Sequence, residues 1–343
     1  VRGVGRIAAL AVLVIAFVGL FDLVGLTSGV LLGALIGALV FTLVLRQALP
    51  LPEPLYVLGQ AILGASIGAS VDLETITALG ADWSWVLLVS VATIAVSVAL
   101  GLMLCLRGEI SRETAVFASV AGGAAGLSAM SRDLGADDRV VTVLQYLRIV
   151  VIVASLPLVV EFAFRAPDSG GIARASAGEI VPALAFTTVS IALGVVGGRL
   201  VRLPAGPVLG PLVAAAAVHP LFGAVGVPSL VEQSGYLLIG LAVGLRFTRG
   251  AVRTISRLLP LAVANVVVVI VVCAVMGAGL AHVTGESALD GYLATTPGGF
   301  SAVLAIASTT GGNLTFVTAS QLVRLLLILA LAPAFGAWLR RRA

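Results

Sequence analysis

Uninterrupted apolar runs of about 20 residues recur from one end of the chain to the other, as in IAALAVLVIAFVGLFDLVGL (7–26) and WVLLVSVATIAVSVALGLMLC (85–105). Coiled as a helix, a run of this length covers the roughly 30 Å hydrocarbon core of a bilayer. Backbone polar groups find no water there, so helices or closed barrels are the only structures that can cross. Continuous rather than alternating apolarity selects helices. The whole chain agrees: 60% of its 343 residues are hydrophobic and 10% are charged, with a mean hydropathy of +1.17. Since no comparably long run is polar, no appended soluble domain is expected, and the fold class is an all-α polytopic membrane protein.

All twenty basic residues are arginine, and the net charge is +4. Apart from Arg340–Arg342 they stand singly at the ends of apolar segments, as the positive-inside rule places them, and not in the stripe that nucleic acid requires. Cys105 and Cys273 lie inside apolar segments and suggest neither a disulfide framework nor a metal site. The basic, apolar N-terminus resembles a signal peptide, but no small-x-small cleavage site follows. A retained first span is expected.

The chain repeats itself. GVLLGAL (29–35) returns 177 residues later as GPVLGPL (206–212), and Gly64-x-x-x-Gly68 returns 176 later as Gly240-x-x-x-Gly244. The same shift of 176 carries QYLR (145–148) onto QLVR (321–324) and Pro157 onto Pro333. Two Gly-rich stretches lie between these landmarks, AGGAAGLSAM (121–130) and TPGGFSAV (296–303). Their register stays open: Gly122-Gly123 matches Gly298-Gly299 at a shift of 176, whereas Gly126-Leu-Ser-Ala129 matches Gly299-Phe-Ser-Ala302 at 173. The expected organisation is a first membrane repeat over 1–166 and a second over 167–343.

Each half reads as six helical segments: about 7–26, 29–47, 55–71, 84–106, 113–132 and 138–164, then 178–200, 206–221, 229–246, 255–282, 287–308 and 314–339. If all twelve crossed, loop arginines would divide ten to eight between the faces, which is no bias. If both Gly-rich segments instead enter and leave on one face as re-entrant or broken-helix hairpins, the division becomes sixteen to two. The positive-inside rule therefore favours about ten transmembrane helices, two hairpins and both termini in the cytoplasm. Five crossings per half is odd, so the second repeat is expected to run inverted, a recurring plan of secondary transporters.

A helix broken inside a membrane frees backbone groups that can serve as ligands. Thr295, Thr296, Pro297, Gly298, Gly299 and Ser301 combine a helix-stopping proline, glycines that admit a ligand to the backbone, and hydroxyls. Gly122, Gly123, Gly126 and Ser128 are their counterparts in the first half. Close packing of helices through small residues is the alternative use of such stretches. Arg148 and Arg324 lie within spans, where a guanidinium needs compensation. Hairpin carbonyls, a carboxylate or a bound anion could each provide it. Gln145 and Gln321 lie three residues earlier on the same helical faces and are able to share either task. The carboxylates, including Asp22, Asp72, Glu74, Asp82, Glu161, Glu179, Glu232 and Asp290, all fall in loops or near span ends, so none stands out as a proton or sodium site. Glu113 and Asp290 open the two hairpin segments and are expected to cap their helices. The glycines at 64, 68, 240 and 244 are read as helix-packing faces, and the arginines at 246, 249, 253 and 257 as a cytoplasmic anchor. His219 and His282 are far apart, which leaves no metal motif.

The two Gly-rich motifs followed by QYLR and QLVR, each with a proline nine residues beyond its arginine, resemble the AbrB family of duplicated bacterial membrane proteins, distinct from the DNA-binding regulator of that name. The resemblance covers nearly the whole chain, and TTPGGFSAV, Q-x-x-R-x8-P and GPVLGPLVAAA are its most specific parts. Members carry labels of ammonia monooxygenase or of regulator, and the family is grouped with cation-antiporter and anion-transporter folds. The first hairpin departs from the family's PGG, with Ala121 where the second has Pro297. The monooxygenase label conflicts with the absence of a histidine or carboxylate cluster.

Together these readings predict a secondary transporter of a small organic anion in the bacterial inner membrane. Its access would alternate in an elevator-like way, with the substrate at two opposed hairpins moving past a scaffold of the GPVLGPL type. No enzymatic activity, cofactor, metal or nucleic-acid partner is expected. Membrane lipid and an anionic small molecule are, and a homodimer follows by analogy. The rivals are a membrane sensor of the same fold, an anion channel and a membrane enzyme.

Overall fold

A computed structural model describes residues 2–23, 29–46, 49–69, 73–107, 110–120, 136–165, 180–203, 205–222, 225–247 and 249–340. The protein is an all-α polytopic membrane protein, with no strand among the described residues. Its helices are α1 (Arg2–Leu23), α2 (Gly29–Leu39), α3 (Glu53–Ala69), α4 (Leu73–Leu102), α5 (Arg112–Ser119), α6 (Asp138–Val159) and α7 (Ile180–Leu200). They continue with α8 (Gly206–Phe222), α9 (Ser229–Arg246), α10 (Arg249–Thr254), α11 (Leu259–Thr284), α12 (Ala288–Thr295), α13 (Phe300–Thr309) and α14 (Leu314–Arg340).

Five stretches are long and apolar enough to cross a bilayer unaided: Gly5–Leu23, Asp82–Cys105, Arg139–Phe164, Ile180–Leu200 and Leu259–Thr284. Their apolar side chains also face outward, Val275 being 69% and Val196 60% exposed. Exposed apolar surface on this scale needs lipid and not water. The apolar stretches Gly29–Val44, Gly206–Phe222 and Leu314–Ile328 are shorter.

The helices sort into two compact units, and each draws on both halves of the sequence. The first comprises Val1–Thr77, Val153–Arg246 and Phe300–Thr315. Within it α2 packs on α9 and α3 on α8, with glycine at the closest approaches. A Cβ on Gly68 would lie 2.8 Å from the Cβ of Ala215, and one on Gly244 would lie 2.6 Å from the Cβ of Ala38. Gly244 is Gly68 shifted by 176, and Ala215 is Ala38 shifted by 177. These are one contact met twice with the partners exchanged. Small residues bring such helices close enough for backbone packing.

The second unit comprises Ala78–Ile152, Phe247–Gly299 and Phe316–Ala343. It shows the same correspondence. Gly101 on α4 lies against Ala115 and Ser119 of α5, and Gly277 on α11 lies against Gly291 and Thr295 of α12, all at a shift of 176. Two apolar clusters hold the unit together. In one, Ile94 of α4, Phe117 of α5, Val141 of α6 and Ile328 of α14 meet. In the other, Val86 of α4, Leu280 of α11, Ala294 of α12 and Phe316 of α14 meet.

Candidate functional site

The site grows from two eight-residue helices, α5 and α12, whose ends match residue for residue at a shift of 176. Each begins on a serine N-cap. Ser111 Oγ accepts from the Thr114 N–H at 3.2 Å, and Ser287 Oγ accepts from the Asp290 N–H at 3.0 Å. The caps are thus serines, and not Glu113 and Asp290 as the sequence suggested. Asp290 lies at the third helical position, where its Oδ2 accepts from Ser287 Oγ at 2.5 Å. Its repeat partner is Thr114, whose Oγ1 lies 3.0 Å from Ser111 Oγ.

Both helices stop at extended residues, Val120 (φ −69°, ψ 120°) and Thr296 (φ −53°, ψ 124°). After Thr296, Pro297 removes a donor and biases its predecessor away from helix. Gly298 (φ 134°) and Gly299 (φ 71°) then take backbone angles that residues with a Cβ rarely adopt. The chain resumes as α13 at Phe300. With eight and ten residues, α12 and α13 are each too short to cross a membrane. The break at 296–299 was legible from sequence. Its first-half counterparts Gly122, Gly123, Gly126 and Ser128 lie outside the described residues.

The Q-x-x-R pairs cap the two short helices at their C-terminal ends. Gln145 Nε2 donates to Phe117 O at 2.8 Å, and Gln321 Nε2 to Leu293 O at 2.6 Å. Arg148 NH1 donates to Ser119 O at 2.6 Å, and Arg324 NH1 to Thr295 O at 3.1 Å. Every acceptor pair is separated by 176 residues, so the chain leading into each Gly-rich stretch follows that register and not 173. A buried guanidinium is compensated by carbonyls at the negative end of a helix dipole. Among the alternatives open from sequence, hairpin carbonyls are therefore observed.

The halves differ in the remaining bonds. Arg324 NH2 donates to Gln321 Oε1, closing that pair on itself. Arg148 NH2 donates instead to Val120 O at 3.2 Å, so Gln145 Oε1 and Arg148 Nε remain buried without a hydrogen-bond partner among the described residues. Arg148 is only 7% exposed, and a Cβ on Gly298 would lie 3.4 Å from its Nε. The first-half arginine thus places an Nε with no partner among the described residues close to the second-half break, inside one compact unit. Ser119, Arg148 and Asn265 supply the polar lining of an adjacent cavity of about 20 Å³, room for a water molecule.

The hydroxyls of Thr295 and Thr296 turn back onto backbone. Thr295 Oγ1 lies 2.8 Å from Cys273 O and 2.9 Å from Gly291 O, and Thr296 Oγ1 donates to Tyr292 O at 2.7 Å. Ser301 stands in the first turn of α13, which belongs to the other unit. Sequence reading missed Asn265, whose Nδ2 donates to Leu100 O at 2.6 Å. A lone amide within a run of valines was the available signal. It also missed the burial of Glu232 and Asp290, which are 6% and 3% exposed. No group of three or more metal-ligating side chains is found among the described residues.

Fold and site define a helical membrane protein with two matched short helices, each capped by a buried glutamine and arginine, the second of them followed by a break in the helix. The family described as "Transition state regulatory protein AbrB" matches over residues 5–340, and the chain belongs to that family. It is 31% identical over 295 residues to the Escherichia coli (strain K12) protein named "Putative regulator AbrB", covering 84% of this chain and 83% of that one. It is 24% identical over 294 residues to the Bacillus subtilis (strain 168) protein named "Uncharacterized protein YhjN", covering 81% and 77% respectively.

Proposed function

We propose that the protein is a secondary transporter of a small organic anion, and that Arg148 with the Pro297-Gly298-Gly299 break forms its binding site. The observation carrying this reading is the buried Arg148 Nε, a charged donor with no partner among the described residues, beside a backbone whose angles favour glycine. A buried donor left unmade costs about 1–3 kcal/mol, more when charged, and an anion would recover it. Gln145, Gln321 and Arg324 position the two short helices, while the glycines of the break admit cargo to the backbone. The proposal includes inverted repeats, elevator-like movement of the unit bearing Arg148, an inner-membrane location with cytoplasmic termini, and assembly as a homodimer. Because the cavity holds only a water-sized volume, cargo must enter by displacement of the break.

A thermal-stability screen in detergent against small carboxylates, phosphonates, sulfonates, amines and ammonium tests the cargo class. A ligand at a hundred times its dissociation constant stabilises the fold by about 2.7 kcal/mol. Anions should stabilise the wild type and not Arg148→Lys, which keeps the charge but loses Nε. Equal stabilisation of both, or a response to amines alone, would overturn the anion site. The name of the E. coli relative favours a second reading, a regulatory protein that binds the same ligand without moving it.

A further inference from the structure

Glu232 lies in the first turn of α9, buried to 6% exposure within the first compact unit. Ser66 Oγ of α3 donates to its Oε1 at 2.6 Å, and the Tyr236 hydroxyl donates to the same oxygen at 2.8 Å. Tyr236 also lies 2.9 Å from Ser308 Oγ of α13, which in turn lies 2.8 Å from Ala305 O. Oε2 receives no hydrogen bond from any described side chain.

Among the described residues of the elements packed on α9, no cation lies beside this carboxyl. The elements packed on α9 are α2 with the turn that follows it, α3 and α13. Neither α2 nor that turn has a titratable residue, and α13 adds only the hydroxyls of Ser301, Ser308 and Thr309. On α3 the titratable groups are Glu53 and Tyr56, at the end remote from Ser66; Arg246 stacks on the Tyr56 ring 4.6 Å from its centroid. Arg246 is 14 residues beyond Glu232, or about 21 Å along the helix. A carboxylate buried without a cation depends on directed donors and the helix dipole.

Helix packing does not require this carboxyl. Under the shift of 176, Glu232 and Tyr236 correspond to Tyr56 and Gln60, and Gln60 Nε2 donates to the Tyr56 hydroxyl at 3.2 Å. The first repeat therefore builds the equivalent helix with a neutral pair at the same spacing.

We infer that Glu232 is a proton-binding site: Oε2 takes up and releases one proton while Ser66 and Tyr236 hold Oε1. The step is an acid–base exchange between carboxylate and carboxylic acid, with water as donor and acceptor. Neutralising Glu232 weakens its hold on the Tyr236 hydroxyl, which can then donate to Ser308. The charge state is thereby passed to α13, the helix that starts directly after the break. Use of this proton to drive transport rests on the transporter reading, but the proton site does not.

Infrared difference spectra of the purified full chain between acidic and alkaline buffer test the site directly. The expected result is a carboxylic-acid carbonyl band that appears on acidification, disappears in Glu232→Gln, and shifts in frequency in Glu232→Asp and Tyr236→Phe. Replacing choline chloride by sodium chloride should leave it unchanged. An undiminished band in Glu232→Gln would overturn the inference, and Glu232→Asp decides by an unshifted band if the glutamine variant does not fold. Loss of the wild-type band in sodium would also overturn it, showing an alkali-cation site. The spectra read the proton alone, so a failed transport assay would leave this result standing.

Discussion

Substituting alanine for Gly68 or Gly244 tests the reciprocal packing of the two repeats. The added carbon would sit 2.8 Å from the Cβ of Ala215 or 2.6 Å from that of Ala38, against an optimal carbon–carbon separation of about 3.5–4.0 Å. The backbone carbonyl oxygen of Leu212 lies nearer still to the carbon added at Gly68, and that of Leu35 lies 2.7 Å from the carbon added at Gly244. The obstructions are backbone carbonyls and a Cβ fixed to a helical backbone, so no side-chain rotation relieves them and the helix pair must separate. Overpacking of this kind costs about 1–3 kcal/mol, and we expect about 2–3 for each substitution. The pairs share no partner, so the double variant should lose close to the sum. Gly19 and Gly279 are internal controls. A Cβ at either meets nothing within 4 Å, so alanine should be neutral or stabilising by up to about 1 kcal/mol. Unfolding in mixed detergent and SDS, followed by circular dichroism, measures all five variants against the wild type. Equal stability of Gly68→Ala and wild type, or a loss in only one of the Gly68 and Gly244 variants, would refute the exchanged-partner packing.

The break and its supports give further expectations. Gly298→Ala forces a side chain into φ 134° and toward Arg148 Nε, so it should cost about 1–3 kcal/mol in the same unfolding assay and abolish anion-dependent stabilisation. Ser111→Ala and Ser287→Ala each remove an N-cap and should destabilise by about 1 kcal/mol, equally within error, because the caps are repeat equivalents. Arg324→Met strips Thr295 O and Gln321 Oε1 of their donor in a buried setting, and should lower stability by about 3 kcal/mol whether or not ligand is present.

The sequence revealed the spans, the repeat and the break because these are local or periodic properties. A proline followed by two glycines ends a helix wherever it occurs. The spacing of Gln145 and Arg148 already put both on one face, and their acceptors on α5 lay in the segment the repeat had singled out. The compact units were less visible: α2 pairs with α9 and α3 with α8, contacts across the two halves that hydropathy along the chain does not encode. Glu232 escaped for the same reason. Near a helix end it reads as solvated, and its burial arises from Ser66, 166 residues away. The register of the Gly-rich stretches was ambiguous in letters but is resolved at their entrances by hydrogen bonds. That Arg148 Nε has no partner among the described residues was hidden too, because QYLR and QLVR look alike. Only the choice of acceptor, Val120 O against Gln321 Oε1, separates them.

The most direct test of the central claim is counterflow in proteoliposomes. Vesicles are loaded with the anion that best stabilises the purified protein and diluted into trace label of the same anion. The account predicts transient accumulation of label by the wild type, reduced at least tenfold in Arg148→Lys, with none in protein-free vesicles. Saturable binding of that anion by a wild-type protein that gives no counterflow would contradict it, and would show a receptor where a carrier is claimed.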